Sequence, residues 1–239
     1  MAETSTMSGC VCGDAQLTSD NAAIKAFLAR PMSAAGPARA VLILHEWWGL
    51  ADHIRDVARR CAQEGWVALA PDLYSRLGSK VAATPQEAAA LMTALSAQLV
   101  LRDLNASTQY LKTLPSVDPL LIGIIGFGMG GTFALTQVTH NSDLKAAVVF
   151  YGRVPPIETL DYLLCPVQYH YAGKDGWVTQ QEVDRLTEGF EKFNKPGEVH
   201  TYPGADHAFL NDARPEVYRL ADASLAWQRT VQLLNGHLR

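Results

Sequence analysis

The stretch that decides the fold is Ile122-Gly-Ile-Ile-Gly126-Phe-Gly128-Met-Gly130-Gly131. It reads as an apolar strand, a tight glycine-rich turn and a helix that opens at Thr132, which is the outline of a nucleophile elbow. In that motif a Ser or Cys at the centre of the turn projects above the sheet. Here Gly128 occupies this position and has no side chain that could attack a substrate. The stretch therefore predicts a strand–turn–helix unit of an α/β sheet whose nucleophile is missing.

Apolar runs of strand length alternate with helical patterns on both sides of the elbow. Strands separated by helices imply βαβ crossovers and a mostly parallel sheet with helices on both faces. The predicted strands cover residues 40–44, 67–70, 121–125, 146–150, 167–171 and 198–202. The predicted helices cover residues 54–63, 86–114, 132–139, 180–193 and 216–234.

Turn and cap residues predict a hairpin and the start of one helix. Residues 15–17 and 24–28 flank Ser19-Asp-Asn21, which predicts an antiparallel hairpin at the sheet edge. Thr84-Pro85 followed by Glu87 predicts a helix start, with Thr84 as the N-cap. Since the sequence shows no internal repeat and no linker, we expect one α/β domain over residues 15–239, preceded by a flexible segment over residues 1–14.

Composition excludes several classes of partner. The chain has 239 residues, 48% of them hydrophobic and 18% charged, which is typical of a packed globule. A net charge of −4 leaves no basic footprint for nucleic acid. No apolar run reaches the ~18 residues that span a bilayer, so no membrane association is expected. The first residues lack the basic and apolar regions of a signal peptide, so we expect a cytoplasmic location.

The cysteines and glycines do not indicate a metal or a cofactor. Cys10 and Cys12 form a lone Cys-x-Cys with no second pair at ligand spacing. Cys61 and Cys165 are predicted to be small buried hydrophobes, and no cysteine follows a strand-turn signal that would mark a replacement nucleophile. The glycines from position 126 to 131 match a dinucleotide fingerprint only superficially, because the acid expected about 20 residues later is missing.

Three polar side chains follow predicted strands in an informative order. Glu46 follows the strand at 40–44, Asp175 the strand at 167–171, and His207 the last strand. Each of them alone has an ordinary explanation as a loop residue. An elbow followed by an acid and then a His is, however, the chain order of α/β-hydrolase triads, and it predicts that Asp175 and His207 form a functional pair.

At these residues the sequence resembles the dienelactone hydrolase (carboxymethylenebutenolidase) family over nearly its whole length. The resemblance implies a single-domain α/β-hydrolase fold. It is carried by His45-Glu-Trp-Trp-Gly-Leu50 with Asp52-His-Ile-Arg-Asp56, Ala70-Pro-Asp-Leu-Tyr74, the elbow glycines, Gly173-Lys-Asp175 and Asp206-His-Ala-Phe209.

The resemblance implies roles for individual residues. Family members use a Cys nucleophile in the elbow, which this chain replaces with Gly128. By position, Asp175 and His207 are the acid and base, and Glu46 is the carboxylate that contacts the thiol in the resting enzyme. The backbone N–H groups of Met129 and Trp47 would form the oxyanion hole.

The resemblance also implies a substrate-binding region. Arg76 matches an arginine that binds the substrate carboxylate, a task that suits a bidentate guanidinium; a solvated surface arginine is the alternative. Asn211 stands where some members place a second arginine that binds carboxylate, so this chain departs from those members in its predicted carboxylate-binding residues. The aromatic residues Tyr74, Trp48 and Phe209 are predicted to line the pocket.

Without a thiolate no acyl-enzyme can form, and three interpretations stay open. The chain is a hydrolase of small esters or lactones in which His207 or Glu46 activates a water molecule, or it is a non-catalytic protein that binds a small carboxylate or lactone. The third interpretation is an inactivated Cys-to-Gly variant of an ordinary cysteine hydrolase. Each implies a small-molecule partner and no cofactor; the sequence does not specify the oligomeric state.

Overall fold

The computed structural model describes residues 5–7, 9–33 and 36–239, where four strands come first and helices separate most of the later strands. The chain forms two compact units, Met1–Ile124 and Ile125–Arg239. The strands are β1 (Ser5–Met7), β2 (Cys10–Ser19), β3 (Ala22–Pro31), β4 (Ala38–Leu44), β5 (Val67–Pro71), β6 (Val117–Phe127), β7 (Leu144–Phe150), β8 (Val167–Ala172) and β9 (Gly197–Tyr202). The helices are α1 (Asp52–Gln63), α2 (Pro85–Ala94), α3 (Ala97–Thr113), α4 (Met129–Gln137), α5 (Gln180–Lys192) and α6 (Leu220–His237), with 3₁₀ turns at Ser75–Leu77 and Ile157–Tyr162.

The predicted hairpin in the first unit is confirmed. Strands β2 and β3 pair in antiparallel register from Ser19 opposite Ala22. The two residues between them, Asp20 and Asn21, have φ values of 45° and 62°. Positive φ at both central residues is the mark of a type I′ turn, which Asp and Asn tolerate better than other residues with a side chain.

The start of β2 differs from the expectation of a flexible segment over residues 1–14. Residues 10–14 belong to β2, because they continue the ladder with β3 up to Cys10 opposite Pro31. Cys10 and Cys12 lie two residues apart on the same face of the strand, and both are buried. The part of the expectation that concerns residues 1–4 and 8 lies outside the described residues.

The prediction of one helix over residues 86–114 is wrong. Thr84 does cap α2, since its side chain accepts a hydrogen bond from the Glu87 N–H at 3.2 Å. The helix ends at Ala94 because Leu95 takes an extended conformation, with ψ of 134°. Ser96 then caps α3 by accepting a hydrogen bond from the Leu99 N–H. Ser96 is therefore a helix-start signal inside a continuous helical pattern.

Parallel strands organise the second unit. Strands β7, β8 and β9 pair in parallel, with Phe150 opposite His170 and His170 opposite His200. Because their carboxyl ends meet at one edge, the loops after β8 and β9 lie side by side. The acid and the histidine predicted from the sequence are on these two loops. Strand β6 ends at Phe127, so the elbow turn follows it directly.

Candidate active site

The turn at Gly128 has the backbone geometry of a nucleophile elbow, although glycine has no side chain. Gly128 lies between β6 and α4 with φ of 51° and ψ of −113°. Its N–H donates to the Phe150 carbonyl at 2.9 Å, and its carbonyl accepts from the Thr132 N–H at 3.0 Å. A positive φ is strained for residues with a Cβ and unstrained for glycine. The turn therefore has the shape that presents a nucleophile, and Met129 opens the helix beyond it.

The glycines around the elbow allow close backbone packing. A Cβ on Gly126 would overlap the Gly130 carbonyl group and lie 2.8 Å from the Ala134 Cβ. A Cβ on Gly131 would lie 2.8 Å from the Phe150 carbonyl oxygen, and one on Gly152 would lie 2.5 Å from the Gly131 carbonyl carbon. The strand, the helix and the end of β7 thus meet at distances that only glycine permits.

We expect Gly126→Ala to lower the free energy of unfolding by about 2–3 kcal/mol, because the new methyl group overlaps backbone that cannot move aside. Chemical denaturation monitored by circular dichroism measures the change. Gly236→Ala in α6 is the matched control, since nothing lies within 4 Å of its added Cβ. Equal stability of Gly126→Ala and the parent protein would contradict the tight packing.

The predicted acid and base form a hydrogen-bonded pair. The His207 Nδ1 lies 2.8 Å from the Asp175 Oδ2. The other oxygen, Oδ1, accepts the backbone N–H groups of Trp177 at 2.7 Å and Val178 at 2.9 Å. The Asp175 side chain is fully buried, whereas that of His207 is 25% exposed. The carboxylate is therefore held rigidly by its own loop and oriented toward the imidazole.

The pair determines which nitrogen of His207 can act as a base. An ionised carboxylate accepts hydrogen bonds and donates none, so the proton between Asp175 and His207 is on Nδ1. The neutral imidazole then has its lone pair on Nε2. This is the tautomer that a general base needs, and the roles of Asp175 and His207 as acid and base stay predictions.

Aromatic rings surround the imidazole. The ring centroid of Tyr151 lies 4.9 Å from that of His207, and Trp177 lies 6.0 Å away on the same loop as Asp175. Tyr151 follows β7 and has φ of 41°, an unusual value for a residue with a large side chain. Phe209 is buried and packs on Tyr151 at 5.6 Å. The contact between Phe209 and substrate stays a prediction. The role of the Met129 N–H in an oxyanion hole also stays a prediction.

The loop after β4 in the first unit is held by a buried histidine. The His45 Nδ1 donates to the Glu46 carbonyl at 2.6 Å, and its Nε2 accepts the Leu73 N–H at 3.0 Å. Since Nε2 accepts, His45 is neutral, and it fixes the backbone on which Glu46 lies. Glu46 is 4% exposed. Its predicted contact with the nucleophile position stays a prediction.

The same loop carries two tryptophans. The Tyr74 hydroxyl donates to the Trp47 carbonyl at 2.8 Å, and burial raises the pKa of Tyr74, so the phenol stays protonated. Trp47 and Trp48 pack edge to face at 5.2 Å. The hydroxyl of Tyr74 therefore orients the peptide of Trp47. The oxyanion role of Trp47 and the substrate contacts of Trp48 and Tyr74 stay predictions.

The Arg76 guanidinium forms hydrogen bonds to Asp103 and Ser19 of the same unit. Its Nε and Nη2 donate to the two carboxylate oxygens of Asp103 at 2.9 and 2.8 Å, and Nη2 also donates to the Ser19 carbonyl at 3.0 Å. The Nε and Nη2 atoms of the guanidinium thus make a bidentate contact to Asp103. The role of Arg76 in binding a substrate carboxylate stays a prediction, which the variant described next tests. The pairing joins residues far apart in the sequence, and no local signal reveals it.

We expect Arg76→Gln to lower the free energy of unfolding by about 1–3 kcal/mol, because the Asp103 side chain, 6% exposed, loses a bidentate partner. The ratio of kcat/KM for anionic over neutral esters should stay unchanged. Arg102→Gln is the matched control, since Arg102 pairs with Asp20 where both side chains are more than half exposed, and its loss should cost little. A fall in that kcat/KM ratio without loss of stability would show that Arg76 binds the substrate carboxylate.

The described residues contain neither a candidate metal-binding group nor a candidate membrane-spanning helix. Within residues 5–7, 9–33 and 36–239, no three His, Cys, Asp or Glu side chains are grouped so that they could hold a metal ion. In the same part of the chain, no helix has the length and apolarity to cross a bilayer. The cytoplasmic location stays a prediction.

Comparisons with known proteins support the family and the fold. The model of a family described as "Dienelactone hydrolase family" matches residues 24–238. A protein of Escherichia coli K12 named "Putative carboxymethylenebutenolidase" is 32% identical, over 93% of this chain and 86% of its own length. "Protein usf" of Aquifex pyrophilus is 35% identical, over 83% of this chain and 88% of its own length.

A solved structure confirms the predicted α/β fold. The crystal structure titled "Putative Dienelactone Hydrolase" from Klebsiella pneumoniae superposes with a TM-score of 0.90 and 31% identity. The match covers 95% of this chain and 99% of that one. The α/β architecture with parallel strands therefore holds along nearly the whole chain, although the hairpin of β2 and β3 is not at the sheet edge as predicted, because β1 pairs with β2.

Proposed function

The chain belongs to the dienelactone hydrolase family, and on this premise we propose that it hydrolyses small esters or lactones with water as the nucleophile. His207 is the general base in this proposal. The observation that carries it is the 2.8 Å hydrogen bond between His207 and Asp175, whose second oxygen is held by two backbone N–H groups. This hydrogen-bonded pair supports the proposal although the nucleophile is missing.

The reaction follows from the positions of the donors and acceptors. The His207 Nε2 takes a proton from water while the water oxygen bonds to the substrate carbonyl carbon. The carbonyl oxygen becomes an oxyanion, which the Met129 N–H stabilises at the first turn of α4. The imidazolium beside Asp175 then gives its proton to the leaving oxygen as the C–O bond breaks. An ester yields an acid and an alcohol, and a lactone yields a hydroxy acid.

The elbow explains why water takes the place of a side chain. Gly128 carries no atom that could form an acyl bond, so the two-step covalent route of the family cannot run through this position. General-base catalysis by a positioned side chain contributes about 10²–10⁴-fold. The protein is therefore expected to be a slow enzyme compared with a relative that keeps a thiolate.

Hydrolysis of an activated aryl ester by the purified protein tests the proposal. We expect product release above the buffer rate, linear from the first turnover and without a burst, because no acyl-enzyme accumulates. No release above buffer, together with thermal stabilisation by a lactone or small carboxylate, would contradict the proposal. That result would indicate the alternative function, a non-catalytic binding protein.

A further inference from the structure

The last residue of β9 joins the loops that carry the acid and the base. The Tyr202 carbonyl accepts the Gly173 N–H at 2.8 Å and the Ala205 N–H at 3.0 Å. Gly173 begins the loop that leads to Asp175, and Ala205 lies in the loop that leads to His207. One carbonyl therefore binds both loops, and the position of Tyr202 affects the position of each.

The hydroxyl of Tyr202 is held in a series of hydrogen bonds whose central members, His170 and Gln168, are buried. Gln168 donates through Nε2 to the Glu198 carboxylate at 2.6 Å, so its Oε1 accepts from the His170 Nε2 at 2.9 Å. The His170 Nδ1 is then an acceptor, and Tyr202 donates to it at 2.9 Å. The Tyr202 oxygen in turn accepts from the Arg229 Nη1 at 3.2 Å. These hydrogen bonds thus connect Arg229 of α6, through Tyr202 of β9, to His170 and Gln168 of β8.

The burial of His170 fixes which atoms donate and which accept in this series of hydrogen bonds. Complete burial lowers the pKa of His170 well below its ordinary value, and the neighbouring charges of His200 and Arg229 lower it further. A neutral His170 donates through one nitrogen and accepts through the other. The Tyr202 hydroxyl therefore always has an acceptor on one side and a donor on the other.

The ring of Tyr202 continues the contact to the catalytic pair. Its centroid lies 4.8 Å from that of Phe209, and Phe209 packs on Tyr151. Tyr151 in turn packs on the His207 imidazole at 4.9 Å. Tyr202 is thus connected to His207 through the backbone of its loop and through a series of aromatic rings.

We infer that Tyr202 is a positioning residue, and that its hydroxyl holds the Asp175 and His207 loops in register for catalysis. The effect on turnover rests on the proposed function, whereas the effect on the hydrogen bond between the two residues does not. Tyr202 touches no reacting atom; it acts through the loops. Sequence reasoning missed it, because a tyrosine at the end of a strand is an ordinary β residue.

Tyr202→Phe tests the inference, because it removes only the hydroxyl and keeps the ring that packs on Phe209. We expect kcat to fall about 10-fold with KM unchanged, since a small misplacement of a catalytic group is enough for such a loss. Proton NMR should show that the downfield resonance of the His207 Nδ1–H broadens or disappears. Tyr162→Phe is the matched control, because the Tyr162 side chain is exposed, and it should change neither quantity.

The NMR signal separates the inference from the proposed function, since it can be recorded on a protein that hydrolyses nothing. A folded Tyr202→Phe with an unchanged downfield resonance would overturn the inference, whether or not its stability falls. If Tyr202→Phe does not fold, Arg229→Lys disturbs the same hydroxyl from α6 and should weaken the same resonance. An unchanged resonance in that variant would also overturn the inference.

Discussion

Replacing Gly128 with Cys is expected to raise kcat/KM for an activated ester by about 10³-fold, because it supplies the missing nucleophile of the triad that we propose with His207 and Asp175. The His207 imidazole, held by Asp175 at 2.8 Å, would deprotonate the thiol. An acyl-enzyme would then form, and turnover should begin with a burst.

The same substitution should lower stability. Gly128 has φ of 51°, where a residue with a Cβ costs about 1–2 kcal/mol more than glycine. Gly128→Cys should therefore show the trade-off between stability and activity that is expected at a strained catalytic position. Stopped-flow hydrolysis and chemical denaturation of Gly128→Cys measure the two changes on one preparation.

The control is the double variant Gly128→Cys/His207→Ala, which should lose the gain because the thiol loses its base. Full recovery of activity in Gly128→Cys alone would show that Gly128 is all that separates this chain from a cysteine hydrolase. No gain in a folded Gly128→Cys would mean that the elbow and His207 do not form one site.

In the protein with Gly128, His207→Ala is expected to lower kcat by about 10²–10⁴-fold, to the buffer rate. Without the imidazole no group takes the proton from the attacking water. Asp175→Asn should cause a comparable loss, because an amide can donate to Nδ1 and place the proton on Nε2, the wrong tautomer for a base. Steady-state hydrolysis of the same ester measures both variants.

His237→Ala near the end of α6 is the matched control, since His237 is exposed, and it should keep full activity. Unchanged hydrolysis in His207→Ala would contradict the proposed mechanism. The base would then have to be sought elsewhere, first at Glu46, the buried carboxylate on the loop after β4.

Features of the fold that depend on neighbouring residues could be predicted from the sequence. The hairpin turn at Asp20 and Asn21 and the cap at Thr84 follow from residues with strong local preferences. The pairing of Asp175 with His207 was also predictable, because parallel strands bring their carboxyl ends together. In each case short-range chemistry or a simple rule of topology determines the outcome.

The features that the sequence did not reveal depend on distant contacts or on competing local signals. Leu95 ends one helix and Ser96 begins another within a continuous helical pattern, and periodicity alone cannot detect that break. Arg76 pairs with Asp103 from another part of the first unit. The hydrogen bonds of Tyr202 join side chains from β8, β9 and α6. Such contacts exist only after the chain has folded.

The central claim is hydrolysis without a covalent intermediate, and the intact mass of the protein during turnover tests it most directly. Samples would be acid-quenched while the protein hydrolyses an activated ester at steady state, with Gly128→Cys run in parallel as the positive control. We predict an unmodified mass for the protein with Gly128 at every time point while product accumulates, and an acyl adduct on Gly128→Cys. An acyl adduct that forms and decays on the protein with Gly128 at the rate of turnover would contradict the account, because another side chain would then be the nucleophile.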